Sequence, residues 1–281
     1  MRSPLGRRAL RLLVAVLMAG GLVGVAGPAS AAPAGRATYL ALGDSVPFGY
    51  RANQPPAIYQ IPQLFVGYPE IVGSTLGLRT LNASCPGEST ESFLTGKNSF
   101  ACEDSAGSAP AYRVNFPLHV RYDGTQLDYA LGTLEHAKNV RLVTLTLGAN
   151  DVFRCQATTA DQCASEFPGV LSTVAANLVN ILAQLRGEYD GKIVVVTYYA
   201  LNYDPADANF APIVALDHAI TTAASQVPDV VVADGFRAFQ ARALQAGGSS
   251  IAAGLVLPND VHPTLLGQFL LARAVERALG R

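Results

Sequence analysis

The chain has 281 residues, half of them hydrophobic, with 20 basic against 21 acidic side chains and a formal charge of −1. That balance, with no basic patch anywhere, argues against a nucleic-acid binder. The length suits one large α/β domain behind a short leader.

Arg2, Arg7, Arg8 and Arg11 form a basic segment ahead of an apolar stretch over 12–25, and Ala29-Ser30-Ala31 supplies the small residues of a signal-peptidase site. Residues 1–31 are therefore expected to be a signal peptide cleaved near Ala31, and 32–281 the domain of a secreted protein. The apolar stretch is short and glycine-rich for a membrane span of about 20 residues. Arg7-Arg8 leaves both the general and the twin-arginine export routes open. Cleavage removes four arginines and no acid, leaving 16 basic against 21 acidic side chains, a charge of about −5. No other stretch is expected to cross a bilayer.

Five strands are expected, over 38–42, 78–82, 140–147, 192–198 and 230–233. Most are near-continuous runs of Val, Leu and Ile without alternation, the pattern of strands covered on both faces of a parallel sheet. Helical periodicity falls between them, over 68–76, 127–137, 169–185, 212–224, 236–244 and 264–279. In the third of these, Val170, Val174, Leu178, Ile181, Leu182 and Leu185 share one stripe. Strand–helix alternation of this kind predicts a three-layer αβα sandwich, a doubly wound parallel five-stranded sheet with right-handed crossovers.

Two connections are long and read as structureless, 46–67 and 84–123. Both leave the C-terminal end of a strand, where open α/β sheets bind ligands, so both are expected to form walls or lids of a site. Phe48, Tyr50, Tyr59 and Phe65 in the first, with Tyr198-Tyr199 after the fourth strand, point to an apolar substrate; ordinary core packing is the alternative for each. Four cysteines in an exported protein allow three pairings. Cys85 with Cys102 and Cys155 with Cys163 close the short loops and are the expected pairs. With no C-x-x-C and no nearby His pair, a zinc site is not expected, nor is any cofactor.

Ser45 ends Gly43-Asp44-Ser45 after the first strand, Gly87 follows the second and Asn150 follows the third, so all three gather on one sheet edge. Ser45 is the candidate nucleophile; alone, the same tripeptide also suits a turn with Ser as a helix N-cap. The backbone N–H groups of Ser45 and Gly87 and the Asn150 amide make three candidate donors for an oxyanion. Asp151 is read as a brace of its loop. His262, before Pro263-Thr264 and the last helix, is the candidate general base, whereas His119, His136 and His218 read as ordinary.

Gly43-Asp44-Ser45, Gly87, Gly148-Ala149-Asn150-Asp151 and Val261-His262-Pro263 stand in the order of the four blocks of the SGNH (GDSL) hydrolase superfamily, which the mature chain resembles throughout. Cys85-Pro86-Gly87-Glu88 resembles its secreted actinobacterial lipase/esterase branch. The resemblance implies a flavodoxin-like strand order 2-1-3-4-5, Ser45 as nucleophile, Gly87 and Asn150 completing the oxyanion hole, and His262 as base. Where the family usually places Asp, three residues before the His, this chain has Asn259; its acid is Asp260, two before. A neutral Asn259 partner, a shifted turn that swings Asp260 in, and a Ser–His dyad are the three readings, the first and last favoured.

The function implied is a secreted, metal-independent carboxylic-ester hydrolase acting on lipid or short-to-medium acyl esters. A small-molecule or lipid ester is the expected partner, with transient cell-wall or membrane-surface contact, no nucleic acid, and a monomeric chain. A non-catalytic glycan- or lipid-binding protein on the same scaffold and an extracellular acyltransferase are the alternatives.

Overall fold

Five short apolar runs become five parallel strands in the computed structural model, which describes residues 36–106 and 110–281. The expected leader lies outside the described residues. In chain order the first elements are β1 (Thr38–Gly43), α1 (Ser45–Phe48), α2 (Pro56–Tyr59), α3 (Tyr68–Leu76), β2 (Arg79–Asn82), α4 (Thr90–Thr95), α5 (Tyr112–Asn115) and α6 (Gln126–His136). There follow β3 (Val140–Thr146), α7 (Ala149–Thr158), α8 (Phe167–Glu188), β4 (Lys192–Val196), α9 (Phe210–Ser225), β5 (Val230–Ala233), α10 (Gly235–Gln245) and α11 (Leu265–Ala278). The sheet order is β2-β1-β3-β4-β5, as the resemblance implied.

Helices cover both faces. The pair α3 and α11 packs on one side, and α6, α8 and α9 lie side by side on the other. This explains the absence of alternation in β1: Tyr39, Leu40, Ala41 and Leu42 are all buried, because each face meets a helix layer. Leu40 and Leu42 each contribute roughly 1.5–3 kcal/mol on leaving water. The helix α8 is long and apolar enough to cross a membrane by length and composition, contrary to expectation. Here a single stripe of it faces the core, with Val174, Leu178, Ile181, Leu182 and Leu185 completely buried, while the rest of its surface faces outward.

Two expectations need correction. The long connections are not structureless: α2, α4, α5 and a 3₁₀ turn at Pro62–Leu64 give them local hydrogen bonds. The segment after β3, read only as a turn, continues as the ten-residue α7. Its Asn150-Asp151 start is polar because those side chains bond to another loop, and this masks the helical period.

Both expected disulfides are present, Cys85–Cys102 and Cys155–Cys163. The first ties the loop after β2 to itself; the second joins α7 to the turn before α8.

Candidate active site

The end of β1 must pass very close to β3. Gly43 has φ +125°, and a Cβ there would sit 2.0 Å from the Thr146 carbonyl oxygen, so only glycine fits. Its two backbone groups are both taken by one buried side chain. The Gln126 amide accepts the Gly43 N–H at 2.5 Å and donates to its carbonyl at 3.0 Å. Asp44, not Ser45, then caps α1: its Oδ1 accepts the Val46 N–H at 2.9 Å. Ser45 thus occupies the first helical position, where a backbone N–H has no partner within the helix.

Asp44 is fully buried, and burial raises its pKa to about 6 despite hydrogen bonds from Tyr198 and Val46 and the nearby His262 charge. Its second oxygen, Oδ2, accepts the Tyr198 hydroxyl at 2.5 Å.

Gly87 follows β2 on the disulfide-tied loop, at φ +86°, where a Cβ would collide with the Ala101 backbone at 2.5 Å. Its carbonyl accepts the N–H groups of Phe100 and Ala101, locking the loop. Beside it, Glu88 is completely buried and accepts from Gln126 Nε2 at 2.9 Å and from the Ser92 hydroxyl. Burial, with Glu103 nearby, pushes its pKa well above the usual carboxylate range. Glu88 also lies against the sulfurs of Cys85 and Cys102, but both are consumed by the disulfide and offer no thiolate to a cation.

Asn150 is buried at the start of α7, and its Nδ2 donates to the Glu88 carbonyl at 2.9 Å. An amide nitrogen carries two hydrogens, so one remains for a ligand. Asp151 braces the loop as expected: its carboxylate accepts the N–H and hydroxyl of Thr90 at 2.9 and 2.5 Å. Burial raises the Asp151 pKa to about 6.

The fold brings the far end of the chain to this edge. His262 Nε2 lies 2.9 Å from Ser45 Oγ, and its Nδ1 lies 2.5 Å from Asp260 Oδ1. The placement of the third residue corrects the favoured readings of a dyad or an Asn partner. Asn259 takes a left-handed φ of +56° and makes no hydrogen bond to the ring; that turn aims the next side chain at the imidazole. The Asp260 carboxylate is held in turn. Oδ2 accepts the Ala52 N–H at 2.9 Å and Oδ1 the Val261 N–H at 2.7 Å. Burial alone would raise its pKa, but the His262 hydrogen bond and charge, with those two N–H donors, hold it below the ordinary value. Such a carboxylate stays ionised behind the ring.

Several tyrosines that the sequence offers as substrate contacts serve as supports of the site. Tyr59 accepts the Gln54 N–H at 3.1 Å and donates to the Arg51 carbonyl at 3.2 Å, fixing the loop that carries Ala52. Tyr50 sets its ring edge-on to His262, centroids 4.9 Å apart. Tyr199 donates to the Val261 carbonyl at 2.6 Å. The other histidines stay away from Ser45. His119 packs on Phe48 and meets its carbonyl at 3.0 Å, while His136 and His218 are exposed.

A cleft of about 250 Å³ opens beside Ser45 and His262. The aromatics of the first long connection do not line it; Tyr50, Tyr59 and Phe65 stack on one another instead. Its wall comes from α7 and the first turns of α8 and α9, with Val152, Phe153, Phe167, Ile213 and Leu216 among its apolar residues, and from Tyr198 and Tyr199.

The model of the GDSL-like lipase/acylhydrolase family matches residues 41–269. A comparison with curated proteins finds no match. Among solved structures, the chain is similar to Axe2, an acetylxylan esterase from Geobacillus stearothermophilus, at 18% identity and TM-score 0.57, covering 87% of this chain and 94% of that one. It is also similar to LAE5, an α/β hydrolase enzyme from the metagenome of Lake Arreo, Spain, at 17% identity and TM-score 0.55, covering 87% and 95%. A member of the lipolytic G-D-S-L family from Veillonella parvula matches at 15% identity and TM-score 0.52, covering 87% and 98%. At these identities the structural likeness speaks to the fold.

Proposed function

Since the chain belongs to the GDSL-like lipase/acylhydrolase family, whose members are esterases and acylhydrolases, we propose that it hydrolyses carboxylic esters through an acyl-enzyme on Ser45. The observation that carries this reading is the unbroken line from Ser45 Oγ through His262 to Asp260. A serine hydroxyl needs such a base to become a nucleophile. Ser45 Oγ attacks the acyl carbonyl carbon as His262 Nε2 takes its proton. The developing oxyanion accepts from the N–H groups of Ser45 and Gly87 and from the second hydrogen of Asn150 Nδ2. Collapse expels the alcohol, which takes the proton from His262; water then repeats the sequence and frees the acid. Asp260 orients the ring and offsets its transient positive charge. Every proton and electron pair in these steps is handled by groups of the chain itself, without a metal.

The apolar wall of the cleft favours the acyl part of the ester, and its modest volume suits short-to-medium chains over large ones. We read the protein as exported. The two disulfides fit an oxidising compartment, and the leader expected over 1–31 supplies the route. The test is hydrolysis of p-nitrophenyl esters from acetyl to decanoyl by the purified domain and by Ser45→Ala. We expect a maximum above acetyl and a loss of about 10³-fold or more in the variant. Turnover by Ser45→Ala near that of the native protein would move the nucleophile elsewhere.

A further inference from the structure

Tyr198 stands two residues beyond β4, yet its hydroxyl reaches the turn that leaves β1. In the sheet, β3 separates β4 from β1, so no backbone ladder joins these two strands. The phenol bridges them. It donates to Asp44 Oδ2 at 2.5 Å and accepts the Ala149 N–H at 3.2 Å. The directions are fixed, because a backbone N–H only donates and the phenolic hydrogen is then left for the carboxylate. Ala149 is the first residue of α7, so its N–H is one of the donors a helix start cannot satisfy internally. Tyr198 is itself anchored: its own N–H donates at 2.9 Å to Asp217 Oδ1 on α9.

Resting on the ester-hydrolase reading above, we propose that Tyr198 is a positioning residue whose hydroxyl clamps the Asp44-Ser45 turn to the Ala149-Asn150 turn, so that the donors of both converge on a single oxyanion. The ring also lines the cleft, which places the clamp at the point where an acyl group would enter. Removing the hydroxyl leaves Asp44 with one hydrogen bond fewer. Asp44 is faced by Tyr198, by His262 from the α11 loop and by Asp151 on α7. Losing that donor frees the Asp44-Ser45 turn from the Ala149-Asn150 turn.

The experiment compares Tyr198→Phe with Tyr203→Phe, kcat being expressed per serine titratable by a fluorophosphonate so that misfolded molecules drop out, and with Ser45→Ala, its kcat expressed per folded chain. Tyr203 is a comparable buried tyrosine that donates to the Phe236 carbonyl at 2.7 Å and does not line the cleft. Tyr198→Phe is expected to lower kcat about 10-fold or more with KM changed less than about threefold. Tyr203→Phe is expected to lower thermal stability alone. The clamp is refuted if Tyr198→Phe keeps kcat within about twofold, or if both tyrosine variants change kcat alike. Retained turnover in Ser45→Ala would instead sink the ester-hydrolase reading itself.

Discussion

Ser45 and His262 meet at one rim of the sheet, but the Ser45 side rests on buried polar groups while the His262 side hangs from a surface loop. Around Ser45, the Gln126 amide, the Asp44 cap, Glu88 and the Cys85–Cys102 disulfide are all buried. Around His262, Pro258, Asn259 and Val261 are exposed, and the loop is pinned by the Ala52–Asp260 and Tyr199–Val261 hydrogen bonds. The difference teaches where changes will be felt. Disturbing the buried side removes hydrogen bonds that water cannot replace, so stability and activity fall together. Disturbing the loop misaligns the imidazole while leaving the core intact.

The sharpest break of that comparison lies behind the ring. Asp260→Asn removes the negative charge at Nδ1 and should lower kcat about 10³–10⁴-fold, with the thermal midpoint close to that of the native protein. Asn259→Gly, which keeps the left-handed turn and removes only the amide, should change kcat less than about threefold. Steady-state kinetics on a single ester decides it, and an Asp260→Asn enzyme of near-native turnover would contradict the tethered-loop account. Next in size, Gln126→Ala orphans the Gly43 N–H and removes one donor each from the Gly43 carbonyl, which keeps the Cys85 N–H, and from Glu88. Its unfolding free energy should drop by about 2–4 kcal/mol in a urea titration; an unchanged midpoint would show that water replaces the amide. Replacing both Cys155 and Cys163 by Ala opens a loop of sequence separation 8 and should cost about 2.5 kcal/mol by chain entropy, read in the same titration.

The smallest effect is a pH dependence. Asp44 has its pKa raised by burial from 3.8 to about 6. A raised acid contributes stability while protonated, and that contribution is lost as the pH climbs through 6. Asp44→Asn has no proton to lose. Whatever its offset at pH 4, its stability relative to the native protein should therefore improve between pH 4 and 7, by on the order of 1–2 kcal/mol. An offset independent of pH would place the Asp44 titration outside this range.

The same contrast explains what could be read in the sequence. Strands β1, β3, β4 and β5 are runs of apolar residues covered on both faces, a pattern that composition alone reveals. Ser45, Gly87, Asn150 and His262 follow strand ends or precede a helix, so parallel topology gathers them without further information. Asp260 was misjudged because the left-handed turn at Asn259 re-aims it, and a positive φ at Asn leaves no mark in the sequence. Gln126 and Tyr198 act through contacts far apart in the chain, with Gln126 separated from Gly43 by 83 residues and Tyr198 from Asp44 by 154. A single polar side chain at such a distance has no periodicity to betray it. Helix α7 was hidden for a related reason, since its first turn spends its polar side chains on the Glu88–Thr90 loop.

The central claim is that the Ser45 hydroxyl is activated by the imidazole 217 positions away. Treating the native protein with a fluorophosphonate and mapping the adduct by peptide mass spectrometry tests it most directly. The account predicts one stoichiometric adduct on Ser45, lost in Ser45→Ala and formed far more slowly in a His262→Ala variant. An adduct on another residue, or labelling of Ser45 at an undiminished rate without His262, would contradict it.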